Sequence, residues 1–281
     1  MKYNIKTLAD DLGNNIKIAY DKNNLEKEKY LKNNVMRKIN LTMSTVCENE
    51  VALLVSKLIK GKYSILVDVY LPYKNENNKK KLYRPDIAII KTYKKNDKII
   101  NEIVGLIEVK SQMGYSGILS PDDFTEKLKK LKPSKIKITL DEYERLSKDA
   151  KNFYMNLGIV EAKDSQYIEY IIGSKLNIFI VNVMGTNHVK NVEGTIYKFL
   201  KNDSRIHFYN LYGQNKNETD LWYHNLSYKN IYENNDEIKK VNITRKDNKK
   251  TEHIKYMLDK KIRENHGFEK FVEDIIKTLE K

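Results

Sequence analysis

Residues 82–112 read LYRPDIAIIKTYKKNDKIINEIVGLIEVKSQ, and this stretch decides the fold of the chain. Its two apolar runs, residues 87–90 and 103–107, predict two buried strands. Asp86 stands directly before the first run, and Glu108 stands directly after the second. The sequence therefore predicts two strands that each carry a carboxylate at one end.

Side-chain alternation groups the polar residues that follow the second run. Because successive strand residues point to opposite faces of a sheet, Glu108 and Lys110 are predicted on one face, and Gln112 continues that face. Val109 is predicted to point into apolar packing on the other face. Other acidic-x-Lys triplets in the chain do not follow an apolar run such as IVGLI, so the strand context singles out Glu108 and Lys110.

Pro85-Asp86 followed by Glu108-Val109-Lys110 resembles the signature of the PD-(D/E)XK nuclease superfamily, whose members include type II restriction endonucleases. The resemblance implies an α/β fold with an αβββαβ core, in which helices flank a mixed central sheet. It also implies a Mg²⁺ site, with Mn²⁺ able to substitute, held by Asp86, Glu108 and the carbonyl of Val109. Lys110 would orient the attacking water, and Gln112 would bind the water or a phosphate.

A helix is predicted directly before the first core strand. Residues 45–48 (TVCE) fit a capping box, apolar residues then recur at helical spacing, and Gly61 supplies a stop. Members of the family often use a glutamate of such a helix near the metal, and Glu50, beside the buried stripe, matches by position. An ordinary solvated glutamate explains Glu50 equally well. Glu48 is the substitute, although capping already accounts for it.

Further elements are expected on both sides of the motif. Residues 64–71 predict a strand closed by Pro72, in which Asp68 is either a polar-face residue or a third carboxylate, and residues 73–81 predict an exposed loop. Downstream patterns are listed here in chain order: a capping box at residues 139–142 that opens a long helix, buried strands at residues 177–184 and 205–212, and a last helix whose apolar face includes Phe268 and Leu279.

These patterns divide the chain into three predicted parts. Residues 1–43 are expected to form a peripheral helical arm, and residues 44–215 the nuclease core. Residues 216–281 are expected to form a C-terminal extension of loops and one amphipathic helix, which would contact DNA or a dimer partner.

Charge favours a polyanionic partner. Lys and Arg total 52 against 38 Asp and Glu, which leaves a net charge of +14. A Lys- and Asn-rich composition alone would also raise the charge, so the excess is not specific. The candidate DNA contacts are the basic and aromatic residues near the motif, namely Arg84, Lys79, Lys80, Lys81, Tyr115, Lys129, Lys130 and Lys132.

Composition also indicates the cellular compartment in which the protein is expected. A single cysteine, Cys47, argues against a disulfide framework and is expected to be a small buried residue. The chain shows neither the apolar run of a signal peptide nor a membrane-spanning stretch, so a cytoplasmic protein is expected.

The resemblance implies a Mg²⁺-dependent, sequence-specific endonuclease that cuts double-stranded DNA in the manner of a type II restriction enzyme. Such an enzyme would be a homodimer, so that two sites cut two strands, and could act beside a cognate DNA methyltransferase. Two alternatives stay open. One is a repair, resolvase, transposon or defence nuclease of the same fold that acts on structured DNA or on RNA. The other is a catalytically inactive DNA-binding protein.

Overall fold

A computed structural model describes residues 3–33, 43–59, 63–74, 80–112, 131, 134–139, 144–145, 147–158, 160–162, 165–184, 205–213, 226–231 and 267–279. The helices are α1 (Ile5–Lys32), α2 (Met43–Leu58), α3 (Lys148–Asn156) and α4 (Phe268–Leu279), with a short 3-10 helix at Tyr228–Asn230. The strands are β1 (Tyr63–Val67), β2 (Leu71–Lys74), β3 (Lys80–Tyr83), β4 (Ile87–Lys95), β5 (Lys98–Gln112), β6 (Ser134–Thr139), β7 (Val160–Ala162), β8 (Ser165–Met184) and β9 (Ile206–Tyr212).

One mixed sheet of seven strands organises the structure, with β1, β4, β5 and β8 side by side and β6, β7 and β9 paired to β8. The β1/β4 and β4/β5 pairs are antiparallel, whereas β5/β8 and β8/β9 are parallel. Strands β2 and β3 form a separate antiparallel hairpin. The predicted α/β fold, with a mixed sheet flanked by helices, is confirmed at this level.

The two motif strands form one long hairpin. They extend well beyond the predicted apolar runs, and only Asn96 and Asp97 connect them. Both connecting residues have positive φ, 49° and 60°, the backbone of a two-residue turn that matches the twist of a hairpin. The register pairs Ile87 with Ile107, so Asp86 lies beside Glu108 at the far end from the turn.

The single strand predicted over residues 64–71 is wrong. Strand β1 ends at Val67, and Asp68 adopts a positive φ of 61°, which redirects the chain before Leu71 begins β2. Pro72 therefore lies within β2. The predicted loop over residues 73–81 begins and ends within the β2–β3 hairpin, and its residues 75–79 lie outside the described part of the chain.

Helix α2 is confirmed, but its start differs from the prediction. It begins at Met43, so residues 45–48 lie inside the first turns and do not form its cap. The buried stripe packs against β1 and β5, and Cys47 within it is fully buried, as expected. Burial raises the pKa of the Cys47 thiol to about 12.

Helix α1 belongs to the core and is not a peripheral arm. The arm expected over residues 1–43 contains one 28-residue helix, and residues 34–42 lie outside the described part of the chain. In its first half four apolar side chains are buried together with α2 and α4, namely Leu8, Ala9, Leu12 and Ile16. A Cβ added at Gly13 would lie 1.6 Å from the Leu226 carbonyl oxygen. Such close packing contradicts the peripheral placement.

Helix α4 is confirmed, together with its apolar face. The side chains of this face are buried in the chain's own core, namely Phe268, Phe271, Val272, Ile275 and Leu279. The ring of Phe271 lies 5.3 Å from that of Tyr209 in β9. This face is therefore not the free dimer or docking surface that we expected.

The two strands predicted after the motif are confirmed. Residues 177–184 form the second half of β8, and residues 206–212 form β9. Thr139 ends β6, and residues 140–143, where the predicted capping box would open its helix, lie outside the described residues. Helix α3 starts at Lys148, where the Ser147 hydroxyl accepts a hydrogen bond of 3.2 Å from the Ala150 N–H.

Within the described ranges, no helix has the length and apolar character that crossing a membrane demands.

Candidate active site

The structure brings three predicted side chains together at one end of the β4–β5 hairpin. The Lys110 Nζ lies 3.3 Å from Glu108 Oε2 and 3.8 Å from Asp86 Oδ2. Asp86 directly precedes β4. Glu108 and Lys110 lie two residues apart near the C-terminal end of β5, far from the turn that joins the two strands. Strand alternation therefore predicted correctly that these side chains share a face; their chemical role stays a prediction.

Val109 occupies the opposite face, as predicted, and is buried in the cluster that includes α2. Its backbone N–H donates a 2.6 Å hydrogen bond to Asp86 Oδ2. This bond holds the aspartate against β5 and explains how a residue outside the strand keeps a defined position. The carbonyl of Val109 as a metal ligand stays a prediction.

Burial shapes the ionisation of the cluster. It raises the pKa of Asp86, with partial opposition from Lys110 and from the Val109 N–H. It also raises the pKa of Glu108, and the charge of Asp86 adds to that effect. For Lys110 burial lowers the pKa, but the two carboxylates outweigh burial and raise it overall. The lysine is thus held as an ammonium ion, while the carboxylates repel each other.

Tyr83 completes the cluster, and the sequence analysis missed it. This residue ends β3, its side chain is buried, and its hydroxyl donates a hydrogen bond to Glu108 Oε1. The only sequence signal was an aromatic residue three positions before Asp86. That signal does not distinguish a core tyrosine from one that contacts a carboxylate.

The helix carboxylate that faces the cluster is Glu48, and not Glu50. Burial raises the pKa of Glu48, followed by the charges of Asp86 and Asp68, and Lys110 opposes them. Glu50 instead accepts a 2.8 Å hydrogen bond from Asn15 Nδ2 on α1. Two residues correspond to about 200° around a helix, so these glutamates face different neighbours. The earlier start of α2 also removes the capping role that had accounted for Glu48.

Arg84 and Asp68 form an ion pair beside the cluster. The Arg84 Nη2 lies 2.7 Å from Asp68 Oδ1, and its guanidinium lies 5.6 Å from the centre of the Tyr70 ring. The Asp68 N–H donates to the Asp86 carbonyl at 3.1 Å. Asp68 is therefore neither a polar-face strand residue nor an unpaired third carboxylate. Its carboxylate balances the charge of Arg84, a predicted DNA contact.

A buried asparagine pair extends the polar row of the sheet. Asn182 of β8 pairs in register with Lys110, and Asn210 of β9 pairs in register with Asn182. Both asparagines are fully buried, and Asn182 Nδ2 donates to Asn210 Oδ1 at 2.7 Å. Because in-register neighbours project from the same face, this pair continues the row that starts at Lys110. Both strands were predicted as buried, with no role for these asparagines.

The remaining predicted residues are described by their backbone alone or lie outside the described residues. Lys80 and Lys81 lie in β3, and Gln112 ends β5 in register with Met184. The other predicted DNA contacts lie outside the described residues, namely Lys79, Tyr115, Lys129, Lys130 and Lys132.

The donor set of the cluster fits a hard divalent cation. Asp86 and Glu108 offer carboxylate oxygens, which Mg²⁺ and Mn²⁺ prefer, and their mutual repulsion would be relieved by a bound cation. Among the described residues, these two carboxylates form ion pairs with Lys110. In the part of the chain that the structure describes, no group of three or more His, Cys, Asp or Glu side chains is placed to hold a metal.

Comparison of the chain with protein-family models, with curated proteins and with solved structures finds no match.

Proposed function

We propose that this protein is a Mg²⁺-dependent endonuclease that hydrolyses phosphodiester bonds of double-stranded DNA, with Asp86, Glu108 and Lys110 at its active centre. The observation that carries the proposal is the position of the Lys110 ammonium, 3.3 Å from one carboxylate and 3.8 Å from the other. A cation site and a fixed positive charge side by side suit the cleavage of a phosphate ester.

The order of elements supports a restriction-endonuclease-like fold. Helix α2 is followed by the antiparallel strands β1, β4 and β5, and then by α3 and β8, which is parallel to β5. This sequence of elements follows the αβββαβ order of the PD-(D/E)XK core. The β2–β3 hairpin would be an insertion between the first two core strands, and β6 and β7 would be further insertions between β5 and β8.

Each residue of the cluster would have a distinct task. Asp86 and Glu108 would hold the cation, which when bound supplies a Lewis acid and lowers the pKa of a water molecule. Lys110 would orient the attacking water and offset the negative charge that develops on the phosphoryl oxygens. Because its pKa is raised, Lys110 suits charge stabilisation better than proton abstraction.

The exposure of the side chains indicates how a phosphate would reach them. The side chains of Lys110 and Asp86 are 28 % and 19 % exposed, whereas that of Glu108 is only 7 % exposed. A DNA strand would therefore approach from the Lys110 and Asp86 side. The net charge of +14 favours such an approach, since basic side chains release counterions from the DNA backbone.

Digestion of supercoiled plasmid DNA with Mg²⁺, with Mn²⁺ and with a chelator tests the proposal. Metal-dependent discrete fragments whose sequenced ends share a site would support a sequence-specific enzyme. Nicking or a smear would favour the structure-directed nuclease of the same fold. A protein that shifts DNA in a gel but never cuts it would overturn the enzymatic proposal. Sedimentation of the purified protein tests the proposed homodimer.

Substitution of the two helix glutamates tests the placement of Glu48. We expect Glu48→Ala to slow cleavage about 10-fold or more, because outer partners of a metal site typically contribute that much, and Glu50→Ala to have little effect. The matched measurement is the initial rate of plasmid cleavage at saturating Mg²⁺. Equal cleavage rates for the two variants would mean that Glu48 has no role in cleavage and is only a charged residue of α2.

Stabilisation by Mn²⁺ is expected to depend on pH. Without a cation, Asp86 and Glu108 have raised pKa values, so the folded chain binds their protons more tightly than the unfolded chain does. This proton binding stabilises the fold at low pH, and the stabilisation is lost as the pH rises through the raised pKa values. A cation binds the ionised carboxylates, so stabilisation of the fold by Mn²⁺ should be present at neutral pH. On acidification it should be lost at a higher pH than it would be for carboxyl groups with ordinary pKa values. At about 100 times its Kd it should add about 2.7 kcal/mol.

Thermal unfolding with and without Mn²⁺ across a pH series measures this effect. Asp86→Ala is the control and should show no Mn²⁺ shift at any pH. A shift in the wild type that is independent of pH would place the cation away from these carboxylates.

A further inference from the structure

Tyr83 makes a contact that the proposed reaction does not yet use. It ends β3, pairs with Leu71 of β2, and its ring is buried in the apolar cluster that includes Leu106. Only 6 % of the residue is exposed. From this apolar setting its hydroxyl reaches the cluster of charges and donates to Glu108 Oε1.

This bond leaves Glu108 held at both oxygens. Oε1 accepts from Tyr83, and Oε2 lies 3.3 Å from the Lys110 Nζ. A glutamate side chain has several rotatable bonds, and two donors on separate oxygens fix both its position and the plane of its carboxylate. Each carboxylate oxygen has a second lone pair, so this arrangement still leaves acceptor capacity for a cation.

The same short segment of chain orders both carboxylates. Tyr83 fixes Glu108, and Asp86 follows three residues later, after the buried Pro85, which restricts the backbone between them. Asp86 is in turn fixed by the N–H of Val109. The last residue of the β2–β3 hairpin therefore contributes a hydrogen bond to the cluster.

We propose that Tyr83 is a positioning residue, whose hydroxyl presets the Glu108 carboxylate to bind the divalent cation. The inference rests on the proposed function, since it concerns the same cation site. Carboxylates that bind metals are commonly held by such outer hydrogen bonds, and removal of the outer partner typically lowers metal affinity 10- to 100-fold. The Tyr83→Phe change removes the hydroxyl and keeps the ring that fills the apolar cluster.

The chain offers a matched control for the loss of a buried hydroxyl. Tyr209 is also buried, and its hydroxyl donates a 2.8 Å hydrogen bond to Asp274 Oδ2 of α4. Its ring packs in the other core cluster, on the opposite face of the sheet. Tyr209→Phe therefore removes the same kind of bond, from tyrosine to carboxylate, without touching the cation site.

Titration of the full-length protein with Mn²⁺ alone, followed by the electron paramagnetic resonance signal of free Mn²⁺, tests the inference. Four proteins are compared: wild type, Tyr83→Phe, Tyr209→Phe and Asp86→Ala. We expect Mn²⁺ to bind wild type and Tyr209→Phe with the same Kd, to bind Tyr83→Phe about 10-fold or more weakly, and to lose the site in Asp86→Ala. Thermal unfolding of the metal-free proteins is measured alongside.

The possible outcomes separate this inference from the proposed function. Equal Mn²⁺ affinity in wild type and Tyr83→Phe, with loss in Asp86→Ala, overturns the role of Tyr83 and leaves the cation site in place. A Tyr83→Phe chain that does not fold, or that is destabilised with no change in affinity, assigns the hydroxyl to stability and also overturns the inference. Mn²⁺ binding that is absent in wild type, or unchanged in Asp86→Ala, overturns the cation site and the role of Tyr83 with it.

Discussion

Asp86→Ala is expected to lower the rate of Mg²⁺-dependent DNA cleavage by about 10³-fold or more, because a bound cation is worth several kcal/mol of transition-state stabilisation and each 1.36 kcal/mol is about tenfold in rate. The loss has two physical sources. The cation would lose one of its two protein carboxylates. The Val109 N–H and the Lys110 Nζ would lose the oxygen that lies 2.6 Å and 3.8 Å from them.

Two further variants make this measurement specific. Asp86→Asn keeps the shape of the side chain and removes its charge, so it should be nearly as inactive as the alanine variant. Asp11→Ala removes an exposed carboxylate that forms a surface ion pair with Lys57 and should cleave as wild type does. Sequenced fragment ends and initial rates are compared for all variants. An Asp86→Ala protein that cuts as fast as wild type would place the active centre elsewhere.

Lys110→Met is expected to reduce the rate constant of cleavage about 10²- to 10³-fold while DNA affinity changes by less than about tenfold. The ammonium contact strengthens as charge develops on the phosphoryl oxygens, so its loss raises the barrier more than it weakens substrate binding. Methionine keeps most of the apolar stem. It leaves Glu108 and Asp86 without the positive charge that offsets their repulsion, so the affinity of the site for a divalent cation should rise.

The test separates rate from affinity. Single-turnover cleavage at saturating protein gives the rate constant, and DNA binding in Ca²⁺ gives the affinity. Lys57→Met, which removes a lysine that is half exposed and lies in α2, is the matched control and should leave both quantities unchanged. A Lys110→Met protein with an unaltered rate constant and a large loss of affinity would make Lys110 an ordinary DNA contact.

The local sequence pattern predicted which side chains share a face of β5, because strand alternation depends only on the pleat of the backbone. Glu108 and Lys110 share a face, and Val109 is buried on the other, wherever the strand is placed. The same local signals predicted α2, α4 and the second half of β8, since their apolar patterns are strong. The Asn96-Asp97 turn could also have been read from the sequence, and it would have joined β4 and β5 into one hairpin.

Errors arose where a small local change has a large spatial effect. The helix starts two residues earlier than the predicted cap, and that cap had given Glu48 a capping role, so the glutamate assigned to the site was Glu50 in place of Glu48. A single residue with positive φ, Asp68, ended β1 and created the β2–β3 hairpin. Capping and turn signals in the sequence are too weak to fix such boundaries.

The sequence by itself determined the two motif strands, helices α2 and α4, and the shared face of Glu108 and Lys110, because periodicity and short spacing are properties of neighbouring residues. Only the tertiary structure decided that Tyr83 reaches Glu108, and that α1 and α4 share one core. Those contacts join residues that are far apart in the chain or lie in separate sheets. They form because buried apolar surface and buried polar groups must both find partners, and local sequence does not specify which partner that is.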